Sequence, residues 1–226
     1  MMKGIQFENV SKHYQEGDRK LIALDHASIS IEPGEFVAVI GPSGSGKSTF
    51  LAIAGALLQP SEGNVIVDGT ALSGLGEKAL SKIRLDKIGF ILQTSNLVPY
   101  LTVLDQLLVV KKMSGKVTRA DRQFAKELLE DIGLGDHLKK FPEQLSGGER
   151  QRTAIARALM NDPDIILADE PTASLDTRRA FEIVELMSKG LKARNKAAIM
   201  VTHDERLLKY CDKVYEMEDG TLTLVE

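Results

Sequence analysis

The chain has 226 residues, 43% of them hydrophobic and 27% charged, enough apolar material for one globular domain with a sizeable core and too much for a disordered chain. Its 29 lysines and arginines stand against 32 aspartates and glutamates, and the resulting net charge of −3 disfavours a nucleic-acid partner. A single cysteine, Cys211, cannot form an internal disulfide, and four scattered histidines (His13, His26, His137 and His203) lack zinc-binding spacing. The apolar run Leu51–Leu58 falls well short of the roughly 18 residues that span a bilayer. The Met1–Lys3 start carries no apolar signal stretch. The expectation is a protein of the cytoplasm that reaches a membrane only through a partner.

In chain order, the opening third reads as strands. Ile5–Val10 and Ala27–Ile31 alternate in part, and Phe36–Ile40 is a short apolar run rich in β-branched residues. Lys47–Leu58 reads as a buried helix with Pro60 beyond its end. Gly63–Val67 is a further strand, closed by an Asp68-Gly69 turn. Ile88–Leu92 reads as a strand that ends at Gln93. From about Thr102 to Gly133 the pattern is helical and more charged, with Leu104, Leu107 and Leu108, then Phe124, Leu128 and Leu129, at helical spacing. After Pro142 come a helix over Ser146–Met160, a strand over Ile165–Ala168, a helix from about Asp176 and a strand over Ala197–Val201. Strands alternating with helices predict a parallel α/β core, and the helical middle reads as an insertion into it.

Three segments carry chemistry. Gly41-Pro42-Ser43-Gly44-Ser45-Gly46-Lys47-Ser48 fits G-x-x-x-x-G-K-[ST] between a predicted strand and a predicted helix. Its glycines let backbone N–H groups wrap a polyphosphate at a helix N-terminus, Lys47 reaches the β- and γ-phosphates, and the Ser48 hydroxyl is placed to ligate Mg²⁺. Ile165–Ala168 ends in Asp169 and Glu170: the first is placed to hold the Mg²⁺ shell, the second to act as general base on a water. In Leu145-Ser146-Gly147-Gly148-Glu149, Ser146 and Glu149 have the spacing of a capping box at a helix start. A capping box does not need two consecutive glycines, which cost helix propensity but leave amides open at the positive end of the helix.

Taken together, these segments resemble the nucleotide-binding subunits of ATP-binding cassette (ABC) transporters over nearly the whole chain. The motifs stand in the family's order: Tyr14, the Gly41–Ser48 loop, Gln93, Leu145–Glu149, Asp169-Glu170, Ser174-Leu175-Asp176 and His203. The resemblance implies an α/β P-loop NTPase fold, a RecA-like core (about residues 1–94 and 161–226) with an antiparallel β subdomain and an inserted helical subdomain (about 95–160). It implies that Tyr14 stacks on adenine and that the loop, with Thr49, binds ATP. Gln93 would touch Mg²⁺ and the attacking water, His203 would hydrogen-bond the γ-phosphate, and Asp176 would bridge two copies.

Two copies would pack head to tail, each ATP lying between the Gly41–Ser48 loop of one and Ser146–Gly148 of the other, with Glu149 among the ATP-binding residues. The partner in the membrane would be a separate permease of the FtsX or MacB type. The stretch Ile165–Asp176, containing ILADEPTASLD, is typical of lipoprotein-releasing and macrolide-efflux ATPases, and GFILQTSNLVPYLTVLDQLL (89–108) is nearer the haem-efflux ATPases of Gram-positive bacteria. Export of haem or another amphipathic toxic compound is therefore the expectation. The alternatives are lipoprotein, macrolide or peptide-antibiotic transport, or a cell-division ATPase of the FtsE type that moves its membrane partner without transport.

Overall fold

The structure, a computed structural model, describes residues 4–16 and 19–225, so Met1–Lys3 lie outside the described residues. The elements in order are β1 (Ile5–Glu16), β2 (Arg19–Ile31), β3 (Phe36–Ile40), α1 (Lys47–Ala54), β4 (Glu62–Val67), β5 (Thr70–Ala71), α2 (Glu77–Lys87) and β6 (Ile88–Ile91). They continue with α3 (Val103–Ser114), α4 (Arg119–Asp131), α5 (Gly147–Leu159), β7 (Ile165–Asp169), α6 (Thr177–Ala193), β8 (Ala197–Val201), β9 (Lys213–Glu218) and β10 (Thr221–Leu224).

The main sheet has the order β10-β9-β3-β8-β7-β6. All its pairings are parallel except that of β10 with β9. A parallel sheet covered on both faces needs strands that are apolar throughout, and FVAVI, IILAD and AAIMV meet that need. Period-2 alternation divides them between two cores. Val37, Val39, Ile165, Leu167, Ile199 and Val201 pack with α1 and with β1, β2 and β4. Phe36, Ile166, Ala168, Ala198 and Met200 face the other way, onto α3 to α6. Each fully buried branched or aromatic side chain stabilises the fold by about 1.5–3 kcal/mol, which outweighs the weak intrinsic preferences of strands this short.

The second sheet is antiparallel, in the order β2-β1-β4-β5. Its first strand runs to Glu16, well past the Val10 at which apolar alternation stops. Bulges between Phe7 and His13 re-aim the strand, so the alternation breaks while the pairing continues.

Other differences from expectation have local causes. α1 ends at Ala54, with Gly55 as its C-cap, and 55–58 form a turn. The helical middle is broken at Gly115, and α4 restarts on a capping box of Thr118 with Asp121. α2 escapes the apolar pattern because Leu80 is its one buried residue. Its C-terminal Lys87 reaches Asp68 and Asp164, each at 2.8 Å, and these two partners raise the Lys87 pKa. β9 and β10 form a hairpin through Asp219-Gly220, both residues with positive φ, the same turn chemistry that is legible at Asp68-Gly69.

Candidate functional site

Because β3, β8, β7 and β6 are parallel neighbours, their C-terminal ends share one edge of the sheet. The Gly41–Ser48 loop follows β3, His203 follows β8, Asp169 ends β7 and Gln93 follows β6. The crevice beyond the carboxyl ends of such strands is where open α/β sheets bind ligands.

The loop is shaped by close backbone approach. A Cβ on Gly41 would lie 2.1 Å from the Met217 carbonyl oxygen, and one on Gly46 would lie 2.2 Å from that of Ala23. Both glycines also have positive φ. We expect Gly46→Ala to cost at least about 1–3 kcal/mol, since it combines a left-handed backbone with a collision against backbone rather than a movable side chain. Thermal unfolding and nucleotide titration check this; wild-type values in both would contradict it.

Gly46 is also the N-cap of α1 and supplies no side-chain cap, so the first N–H groups of the helix face the crevice uncapped. Lys47 folds over the loop, its Nζ donating to the carbonyls of Gly41 (2.8 Å) and Pro42 (2.6 Å).

Gly41, Ser43, Gly44, Gly46, Lys47, Ser48 and Thr49 line a cavity of about 490 Å³ together with Asp169, Glu170 and His203. Pro42 and Ser45 do not line it; the Ser45 N–H donates to the Pro42 carbonyl at 3.3 Å. Glu170 has φ 44°, a left-handed backbone that costs a non-glycine residue about 1–3 kcal/mol, and its N–H donates to the Val201 carbonyl at 3.0 Å. Its carboxylate lies 3.0 Å from His203 Nδ1. Burial raises the Asp169 pKa, the adjacent Glu170 charge raises it further, and Lys47 opposes both. Two carboxylates in a partly dry cleft are an environment that favours a cation.

One wall of the cavity is apolar. Tyr14 on β1 pairs in register with Leu21 on β2, and Leu21, Ile22 and Ala23 line the same cavity. Tyr14, Leu21 and Ile22 are all exposed large apolar side chains. The last three residues of this wall were missed by sequence reasoning. The available signal was a pair of adjacent apolar residues, Leu21-Ile22, left exposed at the start of a strand whose core residues begin at Leu24.

Gln93 does not line this cavity. Three sheet spacings separate β6 from β3, about 14 Å, which accounts for the separation. Gln93 is exposed beside the β7 end instead.

Ser146–Glu149 lie outside the cavity as well. The capping box forms as predicted: the Ser146 N–H donates to Glu149 Oε2 at 2.6 Å, and the Glu149 N–H donates to Ser146 Oγ at 3.3 Å. Bonds to the Glu149 carboxylate from the Ser146 backbone first, and then from the Ser146 hydroxyl, hold that carboxyl below its usual range. A Cβ on Gly147 or Gly148 would meet its nearest neighbour at 3.8 or 3.6 Å, an ordinary contact. Among the described residues nothing therefore requires glycine at either position. Asp176 caps α6, accepting from the Arg179 N–H at 3.0 Å.

The strand–loop–helix with its converging carboxylates defines a P-loop nucleoside triphosphatase. A sequence profile of the ABC transporter family matches residues 24–173. Over 220 residues the chain is 46% identical to a Staphylococcus haemolyticus protein that carries the provisional name hemin import ATP-binding protein HrtA, covering 97% of this chain and 99% of that protein. A Staphylococcus aureus protein of the same provisional name is 47% identical over 216 residues, with 96% and 97% covered.

Among solved structures, the ATP-binding cassette MJ0796, in a dimeric post-hydrolysis state bound to ADP and Pi, superposes with a TM-score of 0.84 at 39% identity, covering 98% of this chain and 99% of that one. CbiO1 of Clostridium perfringens, part of the ABC transporter complex cbiONQ, gives 0.89 at 28% identity, with 99% and 88% covered. The chain belongs to the ABC transporter family, of which it is an ATP-hydrolysing cassette.

Proposed function

We propose that this chain is the ATPase subunit that powers a separate transmembrane permease, and that two copies enclose two ATP molecules between them. The observation that carries the reading is the division of the site. The phosphate loop, Asp169, Glu170 and His203 converge on one cavity, whereas the two dispensable-looking glycines of Ser146-Gly147-Gly148 lie outside it. Glycines with room for a side chain, at the positive end of a helix, are what a phosphate carried by a second copy would need.

In this reading adenine stacks on Tyr14, against Leu21 and Ile22, and the loop with Lys47 and Thr49 wraps the phosphates. Ser48 and Asp169 are the oxygen donors for Mg²⁺, with Gln93 approaching from the β6 end. The donor set suits that ion: among the described residues no group of three or more His, Cys, Asp or Glu could cage a metal, and Mg²⁺ is commonly held by one or two protein oxygens plus substrate phosphates. When bound, the ion neutralises charge on the phosphate oxygens. Glu170 accepts a proton from water as its oxygen bonds to the γ-phosphorus and the bond to the ADP oxygen breaks. His203 holds the Glu170 carboxylate and lies within reach of the γ-phosphate.

No helix among the described residues is long and apolar enough to cross a membrane. In this reading the motion passes to another subunit at the membrane's cytoplasmic side. The surface offered for this is residues 97–101. Leu97 packs against the core and so belongs to the fold, but Tyr100 is 78% exposed. An exposed aromatic on the segment that follows Gln93 fits a permease helix of the FtsX or MacB type.

Transport of haem or another amphipathic compound is supported by the HrtA relatives. Their provisional name says import; outward transport is our reading, and direction belongs to the permease. We expect Tyr100→Ala to preserve nucleotide binding by the isolated subunit while loosening the permease, and Leu97→Asp to destabilise the subunit too. Pull-down with the co-expressed permease, and growth in haem, are the measurements. Haem sensitivity of the Tyr100→Ala strain supports export, and relief from haem toxicity supports import. Full permease retention with unchanged growth refutes the docking surface.

A further inference from the structure

Residues 92–101, between β6 and α3, carry Gln93 and Tyr100 but form no helix or strand. Side chains hold their backbone instead. Gln151 of α5, 1% exposed, donates from Nε2 to the Leu92 carbonyl at 3.1 Å. Arg157, further along the same helix, donates from Nη2 to the Ser95 carbonyl at 2.7 Å and from Nη1 to the Asn96 carbonyl at 2.9 Å. Gln106 of α3, wholly buried, brackets the far end of the loop. Its Oε1 accepts from the Val98 N–H at 3.0 Å, and its Nε2 donates to the carbonyls of Val98 (2.6 Å) and Leu101 (3.1 Å).

Arg157 is the informative member. Burial lowers its pKa, and no ion pair to a carboxylate is formed by it among the described residues. An apolar residue of similar length would fill the same volume without desolvating a charge. Stability alone is a poor reason for an arginine here. Gln151 poses the same question more mildly, as a buried amide spent on one carbonyl, that of the exposed Leu92.

We propose that Gln151 and Arg157 are positioning residues that clasp the Gln93 loop to α5, so that Gln93 and the Ser146 end of α5 move as one body. This rests on the reading of Gln93 and Ser146 as site residues. The two ends of that body serve different nucleotides: Gln93 belongs to the ATP on its own phosphate loop, Ser146 to the ATP on the partner's. The clasp thereby carries information between the two sites. Seating Ser146–Gly148 on one ATP fixes the position of Gln93 at the other, through hydrogen bonds rather than through the sheet.

Steady-state ATPase kinetics of the full chain test this, with ATP binding measured separately. Arg157→Met keeps the half-buried stem and removes both donors, and Gln151→Leu removes the third. Tyr14, the phosphate loop and Glu170 sit on other elements, so KM for ATP should stay within about twofold while kcat falls about tenfold or more, as small misplacements of reacting groups do. Arg157→Lys retains a donor and should fall in between. The double variant should be no slower than the slower single one, since both act on one loop.

Wild-type kcat in Arg157→Met, a rise in KM alone, or effects that multiply in the double variant would each overturn the clasp. Should Arg157→Met fail to fold, Gln151→Leu and the graded Arg157→Lys decide the question in its place. Gln93→Ala separates the two levels. If it keeps wild-type kcat, the reading of Gln93 has failed; if it loses kcat while the clasp variants keep it, the clasp alone is wrong.

Discussion

Glu170→Gln is expected to bind ATP, to hydrolyse it about 10²–10⁴-fold more slowly, and to accumulate as a closed dimer, because only the water-activating step needs the carboxylate. The substitution is nearly isosteric. The amide that replaces the carboxylate keeps an oxygen that can accept from the His203 ring nitrogen now 3.0 Å from Glu170, and the backbone bond from residue 170 to Val201 is untouched. In the proposed site the phosphate contacts come from elsewhere: the loop amides, Lys47 and the uncapped start of α1. A closed state favoured by ligand contacts and normally reopened by hydrolysis should therefore persist. Size-exclusion chromatography with ATP and Mg²⁺, beside a phosphate-release assay, measures both effects. A monomeric variant with wild-type turnover would remove Glu170 from the role of base.

The second large effect concerns the division of the site between copies. Ser146→Arg replaces the small cap of α5 with a bulky cation where Gly147 and Gly148 are to meet a phosphate, and Lys47→Ala strips the phosphate loop of its charge. Each variant alone should be nearly inactive. In a two-fold dimer formed from both, one site combines the two lesions and the other is intact, so an equimolar mixture should recover up to about a quarter of wild-type turnover. The geometry motivates this directly, since Ser146–Glu149 and the phosphate-loop cavity are separate features of a single chain. Substantial activity in either pure variant, or a mixture no better than its parts, counts against a shared site.

Much of this protein is legible in the chain before it folds, and the reason is locality. The Gly41–Ser48 loop, the Asp169-Glu170 strand end, the Ser146–Glu149 capping box and the Asp68-Gly69 turn are each determined within a few residues. Their chemistry is set by φ, by backbone N–H groups and by caps. The buried strands Phe36–Ile40, Ile165–Asp169 and Ala197–Val201 declare themselves by composition, because both of their faces are covered. Where the pattern is weak, elements are lost: α2 buries one leucine, and the β9–β10 hairpin alternates too softly for anything but its Asp219-Gly220 turn to mark it.

Which of those local pieces meet is settled only when the chain folds. Strand order places His203 between the phosphate loop and Asp169, puts Gln93 three strands from the loop, and brings Leu21, Ile22 and Ala23 against Tyr14. It also lets Gln151 and Arg157 of α5 hold a loop some sixty positions earlier in the chain. Order in a sheet is settled by long-range burial, the matching of two apolar faces across all the strands at once, and no window of the sequence contains that sum.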